Sequence, residues 1–330
     1  MPANLTQQYL KAEAEYRRAT TPDEELRCLQ AMLRELPKHK GTDKLQADLK
    51  QKISRAKKEV VQQGKRGGKA TGFRIPHQGA GRAVIIGGPN AGKSQLLAAL
   101  TRATPQVAPY PFTTHQPAPG MMPWEDVTVQ LVDTPPITAD VFDPVTQGLI
   151  RGADVALLVA DLGDDDGLEQ LQAVIDKLKA TKTRLATESY LDENDIGVSF
   201  TEALLLPNKM DLEDAAERLE LLHEFCPLEF REFPISAQAG TGLDALQRAI
   251  YEALDVVRVY TKLPNKKEAD FDRPFTVARG GTLLDVAELI HKDFAENLKF
   301  ARVWGRDVHD GTTVKGDYVL HDKDIVELHV

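Results

Sequence analysis

The sequence predicts an α/β fold, a mostly parallel sheet with helices on both faces, flanked by a helical N-terminal region and a small mixed unit at the C-terminus. Three observations predict it. Short apolar runs at 83–87, 127–132, 154–160, 203–207 and 229–235 alternate with helix-like stretches at 93–102, 167–180, 213–224 and 242–257, as they do when crossover helices join parallel strands. A glycine-rich segment separates the first run from the first of these helices. Before residue 64 the apolar period is helical throughout, whereas after Arg273 short strand-like runs dominate.

Taken in order, Thr20 and Thr21 followed by Pro22, Asp23, Glu24 and Glu25 make a helix start: a hydroxyl to cap free N–H groups, proline in the first turn, and acids at the positive dipole end. Pro37 and Gly41 end that helix. Leu45, Leu49, Ile53, Ala56 and Val60 then recur at helical spacing and leave one narrow apolar stripe, which suits a helical hairpin. From Gly64 to Gly81 the period dissolves among glycines and basic residues, so a flexible or ligand-ordered linker is expected. In the last unit, Phe275 to Ala278 reads as a strand, Gly280-Gly281 as a turn, and 283–294 as an amphipathic helix capped by Thr282. Further short strands are expected at 298–304, 313–314, 318–320 and 325–330. The expected domains are 1–82, 83–265 and 270–330, which suits a chain of 330 residues.

Composition excludes several classes. No apolar run approaches the roughly 18 residues that span a bilayer, and charges occupy the place of a signal peptide's apolar core, so a cytoplasmic protein with no membrane partner is expected. Cys28 and Cys226 stand far apart and suggest neither a disulfide framework nor a zinc site. Lysine and arginine number 41 against 50 acids, a formal charge of −9. That average hides a segment, 50–82, with ten basic residues against Glu59 alone, or +9. A one-sided excess of this kind fits RNA phosphates, although a solvated helix face with a basic linker has the same composition.

The chemistry is concentrated in two motifs. Gly87-Gly88-Pro89-Asn90-Ala91-Gly92-Lys93-Ser94, followed by Gln95 and a helical run, matches G-x-x-x-x-G-K-[ST] between a strand and a helix. Glycines let backbone N–H groups close on phosphate oxygens, and the helix N-terminus adds positive potential. Lys93 would bridge the terminal phosphates and the Ser94 hydroxyl would ligate magnesium. Asn208-Lys209-Met210-Asp211, after the run 203–207, is the N-K-x-D pattern of guanine-specific sites. An aspartate there accepts from both N–H donors of guanine, while adenine would leave a carboxylate unmatched. That argues against an ATPase.

With these motifs the sequence resembles the Obg and developmentally regulated GTP-binding group of translation-associated GTPases. Tyr110-Pro-Phe-Thr-Thr-His-Gln-Pro-Ala-Pro-Gly120 is similar to the group's first switch. The resemblance implies that Thr114, with Thr113 as the competing choice, completes the magnesium shell when GTP is bound. It also implies that Asp133 reaches magnesium through water and that Ser236-Ala237 lies in the last base-contacting loop. Gly281 to His291 and Val319 to His329 resemble the TGS domain, a ubiquitin-like β-grasp module. Related potassium-stimulated GTPases hold a cation with the asparagine corresponding to Asn90; alternatively Asn90 simply shapes the loop.

Two departures bear on hydrolysis. Asp133-Thr134-Pro135-Pro136 stands where the group has Asp-x-x-Gly, and proline has no N–H to offer the γ-phosphate. Either the next N–H substitutes or sensing of that phosphate is weaker. Ile137 occupies the place of a water-orienting glutamine, so slow turnover is expected. The resulting expectation is a GTPase with Lys93, Thr114 and Asn90 in the catalytic roles, magnesium and potassium as cofactors, and the ribosome or RNA as partner through 50–82 and the TGS-like unit. The alternative is a regulatory module that binds GTP and GDP, hardly hydrolyses, and acts through protein partners.

Overall fold

A computed structural model describes residues 5–19, 22–37, 42–66, 75–101, 116–191, 198–264, 266, 268–306 and 308–330. The N-terminal region is three helices, α1 (Gln7–Arg18), α2 (Pro22–Glu35) and α3 (Asp43–Arg66), rather than the expected hairpin. Their core unites Tyr9, Ala12 and Tyr16 of α1 with Leu29, Met32, Leu45, Leu49, Ile53 and Ala56. The narrow stripe of α3 packs on α2, which in turn packs on α1. The threonines expected to cap α2 lie outside the described residues, but the acids of its first turn are in place. Two residues of α3, Lys65 and Arg66, extend past Gly64, so the basic linker begins later than its glycines suggest.

The central domain contains β1 (Arg82–Gly87), α4 (Lys93–Leu100), β2 (Ala118–Trp124), β3 (Val127–Asp133), α5 (Pro144–Arg151), β4 (Val155–Asp161), α6 (Gly167–Ala180), β5 (Thr183–Ala186), β6 (Tyr190–Leu191), β7 (Ser199–Asn208), α7 (Ala215–Phe225), β8 (Arg231–Glu232) and α8 (Leu243–Ala253). The sheet order is β2-β3-β1-β4-β7-β5, with β6 and β8 also paired to β7. All pairings but β2–β3 and β6–β7 are parallel. β1 and β4 are buried along their whole length, because helices cover both faces of the sheet. One core lies on each face.

The two-residue strand β6 runs antiparallel to β7. Its Leu191 is buried in the core of the N-terminal helices and fastens them to the central domain. The end of the linker is fixed as well: Ile75 is buried, Arg82 donates to the Ile75 carbonyl at 2.7 Å, and Gln130 donates to that of Pro76 at 3.0 Å.

The last unit holds β9 (Val256–Thr261), β10 (Asp270–Ala278), α9 (Leu283–Ile290), α10 (Lys292–Asn297), β11 (Phe300–Gly305), β12 (Val308–Val314) and β13 (Asp324–His329), with sheet order β10-β9-β13-β11-β12. Residues 256–261 were expected before the domain boundary. They form a strand of this sheet, because α8 ends at Ala253 and Asp255 turns the chain with φ 45°. The expected helix 283–294 is two helices, broken at His291, whose backbone is extended and whose side-chain Nδ1 accepts from the Asp293 N–H at 3.2 Å to cap α10. At the start of α9, Asp285 accepts from the Thr282 N–H at 2.7 Å.

Candidate functional site

The carboxyl ends of β1, β3, β4 and β7 lie along one edge of the central sheet, the usual place for ligands in such folds. Residues 87–94 wrap there with three left-handed or otherwise positive φ angles, 156° at Gly87, 55° at Asn90 and 90° at Gly92. Gly87 is required by space as well, since a Cβ would stand 2.6 Å from the Val159 carbonyl oxygen. Asparagine tolerates the left-handed region better than most residues, so Asn90 has a backbone reason to be there whatever its side chain does.

Lys93 is buried, and its Nζ donates to the carbonyls of Gly88 at 2.7 Å and Gly87 at 3.3 Å. Burial pushes its pKa down to about 8, opposed by the nearby Asp133 charge. An anion placed in the loop would favour the charged form. Ser94 donates to Asp133 Oδ2 at 2.5 Å. Burial raises the Asp133 pKa, and its Oδ1 is buried without a hydrogen-bond partner. A hydroxyl beside a carboxylate with a spare oxygen fits magnesium, which takes few protein ligands and keeps several waters. The residues for that cation are therefore suitable, although among the described residues no group of three or more metal-ligating side chains gathers. Thr113 and Thr114 lie outside the described residues.

Asn208 joins two loops. Its Nδ2 donates to the Ala91 carbonyl at 2.8 Å, and its Oδ1 accepts from the Ala237 N–H at 3.0 Å. The phosphate loop, the 208–211 segment and the 236–237 loop are thereby held together. Ser236 donates to Asp211 at 2.5 Å and accepts from the Ala239 N–H at 2.9 Å, aiming the exposed Asp211 carboxylate. Lys209, at φ 70°, donates to Asp161 at 2.6 Å. Sequence reading missed Asp161, although a carboxylate closing a core strand at this edge was a usable signal. Gln170 was missed too: its side chain fills the space that a Cβ at Gly88 would need, and no motif marks it.

The second departure has a structural counterpart. Ile137 is buried in the core on one face of the sheet, and its N–H donates to the Gly87 carbonyl at 3.1 Å. Thr134 donates to Ile85 and Thr138 to Val141, at 3.3 and 3.1 Å, while Pro135 and Pro136 have no N–H to give. The amide after the prolines is thus already committed. Before α6, Asp166 makes no side-chain cap, and Asp165 pairs with Arg218 at 2.7 Å.

A phosphate loop between a strand and a helix, joined through an asparagine to a guanine-type loop, defines a GTP-binding protein of the P-loop GTPase class. Comparison with known families places the 50S ribosome-binding GTPase model on residues 82–190 and the TGS domain model on residues 257–330. The chain thus carries a GTPase domain and a TGS domain, and along most of its length it is similar to developmentally regulated GTP-binding proteins. A GTP-binding protein of Methanocaldococcus jannaschii is 28% identical over 93% of this chain and 92% of its own. Developmentally-regulated G-protein 1 of Arabidopsis thaliana is 25% identical over 92% and 90%. Among solved structures, the Schizosaccharomyces pombe YchF GTPase shares the fold with a TM-score of 0.52 at 15% identity, covering 78% of this chain and 99% of that one. No helix among the described residues is long and apolar enough to cross a membrane.

Proposed function

We propose that this protein hydrolyses GTP to GDP and phosphate slowly and acts in the cytoplasm as a switch on the ribosome or its RNA. The observation that carries the hydrolytic part is the Lys93–Ser94–Asp133 arrangement, with Asp133 Oδ1 left free beside the Ser94 hydroxyl. Gly87 to Gln95 would surround the phosphates, and Lys93 would leave its carbonyl partners for the terminal ones. Asn208, Lys209, Asp211, Ser236 and Ala237 would select and hold guanine. Ser94, Thr114 and, through water, Asp133 would hold magnesium, which when bound neutralises charge on the phosphate oxygens. Asn90 would help hold potassium beside the phosphates, where charge develops in a loose transition state. The family model's printed description and the exposed Lys50, Arg55, Lys57 and Lys58 on α3 support the ribosomal partner.

A second reading, a regulatory module that holds nucleotide with negligible turnover and works through protein partners, is favoured by the committed amides at 134–138. Single-turnover hydrolysis with and without ribosomes separates the two. Turnover faster in potassium than in sodium, and lost in Asn90→Ala, supports the first reading in full; equal rates sink the potassium role. No turnover in any condition favours the module. Excess ATP should fail to displace labelled GTP. Co-sedimentation with ribosomes at two salt concentrations, with GDP or a non-hydrolysable GTP analogue bound, tests the partner: nucleotide-independent or absent binding would overturn it.

A further inference from the structure

β4 ends on a carboxylate that no motif marks. Asp161 lies in register with Asn208 of β7, the first residue of the 208–211 segment, and its side chain is 3% exposed. A carboxylate buried so deeply is costly unless it is matched, and both of its oxygens are. Oδ1 accepts from the Gly163 N–H at 2.7 Å, and Oδ2 accepts from Lys209 Nζ at 2.6 Å. The loop that follows is shaped to admit the lysine. A Cβ at Gly163 would stand 2.6 Å from Lys209 Cδ and 2.8 Å from Leu212 Cδ1, so the Lys209 stem passes where any other residue would carry a side chain. Leu162 donates to the Asn208 carbonyl at 3.1 Å, and Arg218 donates to the Leu162 carbonyl at 3.1 Å. Loop 161–163 is thereby fixed to the segment it serves.

Two residues beyond Lys209 stands Asp211, the carboxylate assigned to the base. The Leu212 N–H donates to the Lys209 carbonyl at 3.0 Å and closes 209–212 into one turn. Asp211 is exposed, accepts from Ser236 at 2.5 Å, and makes no ion pair among the described residues. A lysine carries its charge on a flexible four-carbon stem, and an exposed carboxylate in the same turn is the nearest alternative partner along the chain. A pair formed there would engage the oxygens that have to accept from guanine. Asp161 competes with that pair by drawing the ammonium into the sheet edge, where both partners are better shielded from water and their attraction is stronger.

We propose that Asp161 sets guanine specificity by sequestering Lys209, which leaves the Asp211 carboxylate open to the two N–H donors of the base. The inference rests on the guanine reading of 208–211. It assigns to a residue outside that motif the task of keeping the motif's own cation from closing it. Asp161 is a positioning residue, acting on the base only through Lys209.

The test compares GDP with inosine diphosphate, whose base keeps the ring N–H of guanine and lacks its amino group. Competition of each against a fluorescent GDP on the full chain gives the ratio of their affinities. Wild type should favour GDP by about tenfold or more, the worth of one hydrogen bond to a charged group. Asp161→Asn keeps the shape and the acceptor for Gly163 but not the charge, and should cut that ratio by about threefold, the effect of an exposed ion pair competing for Asp211. Adding Lys209→Met should return the ratio to its wild-type value, whatever absolute affinity is lost, because no ammonium remains to pair with Asp211. A merely structural role predicts a ratio no better in the double variant than in the single one. Thermal unfolding checks the fold, and Asp161→Ser carries the same comparison if Asp161→Asn does not unfold cooperatively. A ratio unchanged in Asp161→Asn, or reduced there and not restored by Lys209→Met, overturns the proposal. Asp211→Asn separates it from the reading beneath. A wild-type ratio near one, or a ratio that Asp211→Asn leaves unchanged, defeats the guanine assignment and the proposal with it, whereas a ratio lost in Asp211→Asn but not in Asp161→Asn defeats the role of Asp161 alone.

Discussion

Arg258 donates through Nη1 to Asp126 Oδ1 at 2.9 Å, tying the TGS sheet to the turn of the β2–β3 hairpin in the GTPase domain. The same guanidinium reaches Glu125, and its Nη2 meets Asp322 at 2.7 Å. Its plane lies over the Tyr251 ring, with the guanidinium carbon 5.6 Å from the centroid, and Trp124 stacks on the same ring at 5.7 Å. Asp133 ends β3 at the nucleotide edge and pairs in register with Ala118, while the Glu125–Asp126 turn closes the other end of the hairpin. One stiff element thus runs from Asp133 at the phosphate-loop edge to the second domain.

Arg258→Gln should loosen that joint. The guanidinium is almost fully buried and its partners are half exposed, so water can recover part of what the carboxylates lose. A loss of about 2–3 kcal/mol is expected, read by urea unfolding, with faster amide exchange in β9 and β13. A change below the scatter of the measurement would show that the joint carries no stability.

The joint should also release in acid. The Arg258 hydrogen bond holds the Glu125 carboxyl below its ordinary value. At Asp126 and Asp322 burial works the other way, but hydrogen bonds from Tyr260 and Arg258 at the first, and from Arg258 at the second, outweigh it and hold both low. Carboxyls with folded values below their unfolded ones add stability that is complete above the usual carboxylate range and is lost as pH falls through the depressed folded values. Trp124 emission in a Trp304→Phe background should therefore stay constant through mildly acid pH and change only below about pH 4. In alkali, burial and the Asp126 hydrogen bond push Tyr260 up to about 12, so its contribution is present below pH 10 and fades between about 10 and 12. A midpoint near neutral pH would contradict both.

Ile137→Gln should not create a faster GTPase. A side chain at 137 points into the core beside Val84, Ile86 and Leu158, not toward the phosphates, and a buried amide without partners costs about 1–3 kcal/mol. Reduced thermal stability with unchanged single-turnover rate is expected. An increased rate would mean that this segment leaves the core when GTP binds.

The phosphate loop and the 208–211 segment were legible because their chemistry is local: glycines and a lysine at fixed spacing leave few alternatives. The five core strands and their helices were legible for a related reason, since strands buried on both faces read as apolar runs. Long-range relations were not. Leu191 in an otherwise polar stretch gave no sign that it enters the helical core, and Val256 to Thr261 ran on from a helical pattern until Asp255 turned the chain. Arg258 reads as an ordinary strand cation, and only the fold brings it to a turn more than 130 residues earlier in the chain.

Gly92→Ala tests the loop itself. Gly92 adopts φ 90°, a conformation alanine enters only with strain, and its Cβ would strike the Asn208 amide nitrogen. That amide is the group donating to the Ala91 carbonyl. Relief would require Asn208 to turn away and abandon its bonds to Ala91 and Ala237 together. The substitution should thus weaken GDP and GTP alike, by about a hundredfold for two buried hydrogen bonds lost, in fluorescent-nucleotide titration. Asn208→Ala removes the same bonds without the strain and should reach a similar or smaller loss. The double variant should be no weaker than Gly92→Ala alone, because both act through one side chain. Additive losses would mean that the glycine serves the phosphates directly and not through Asn208.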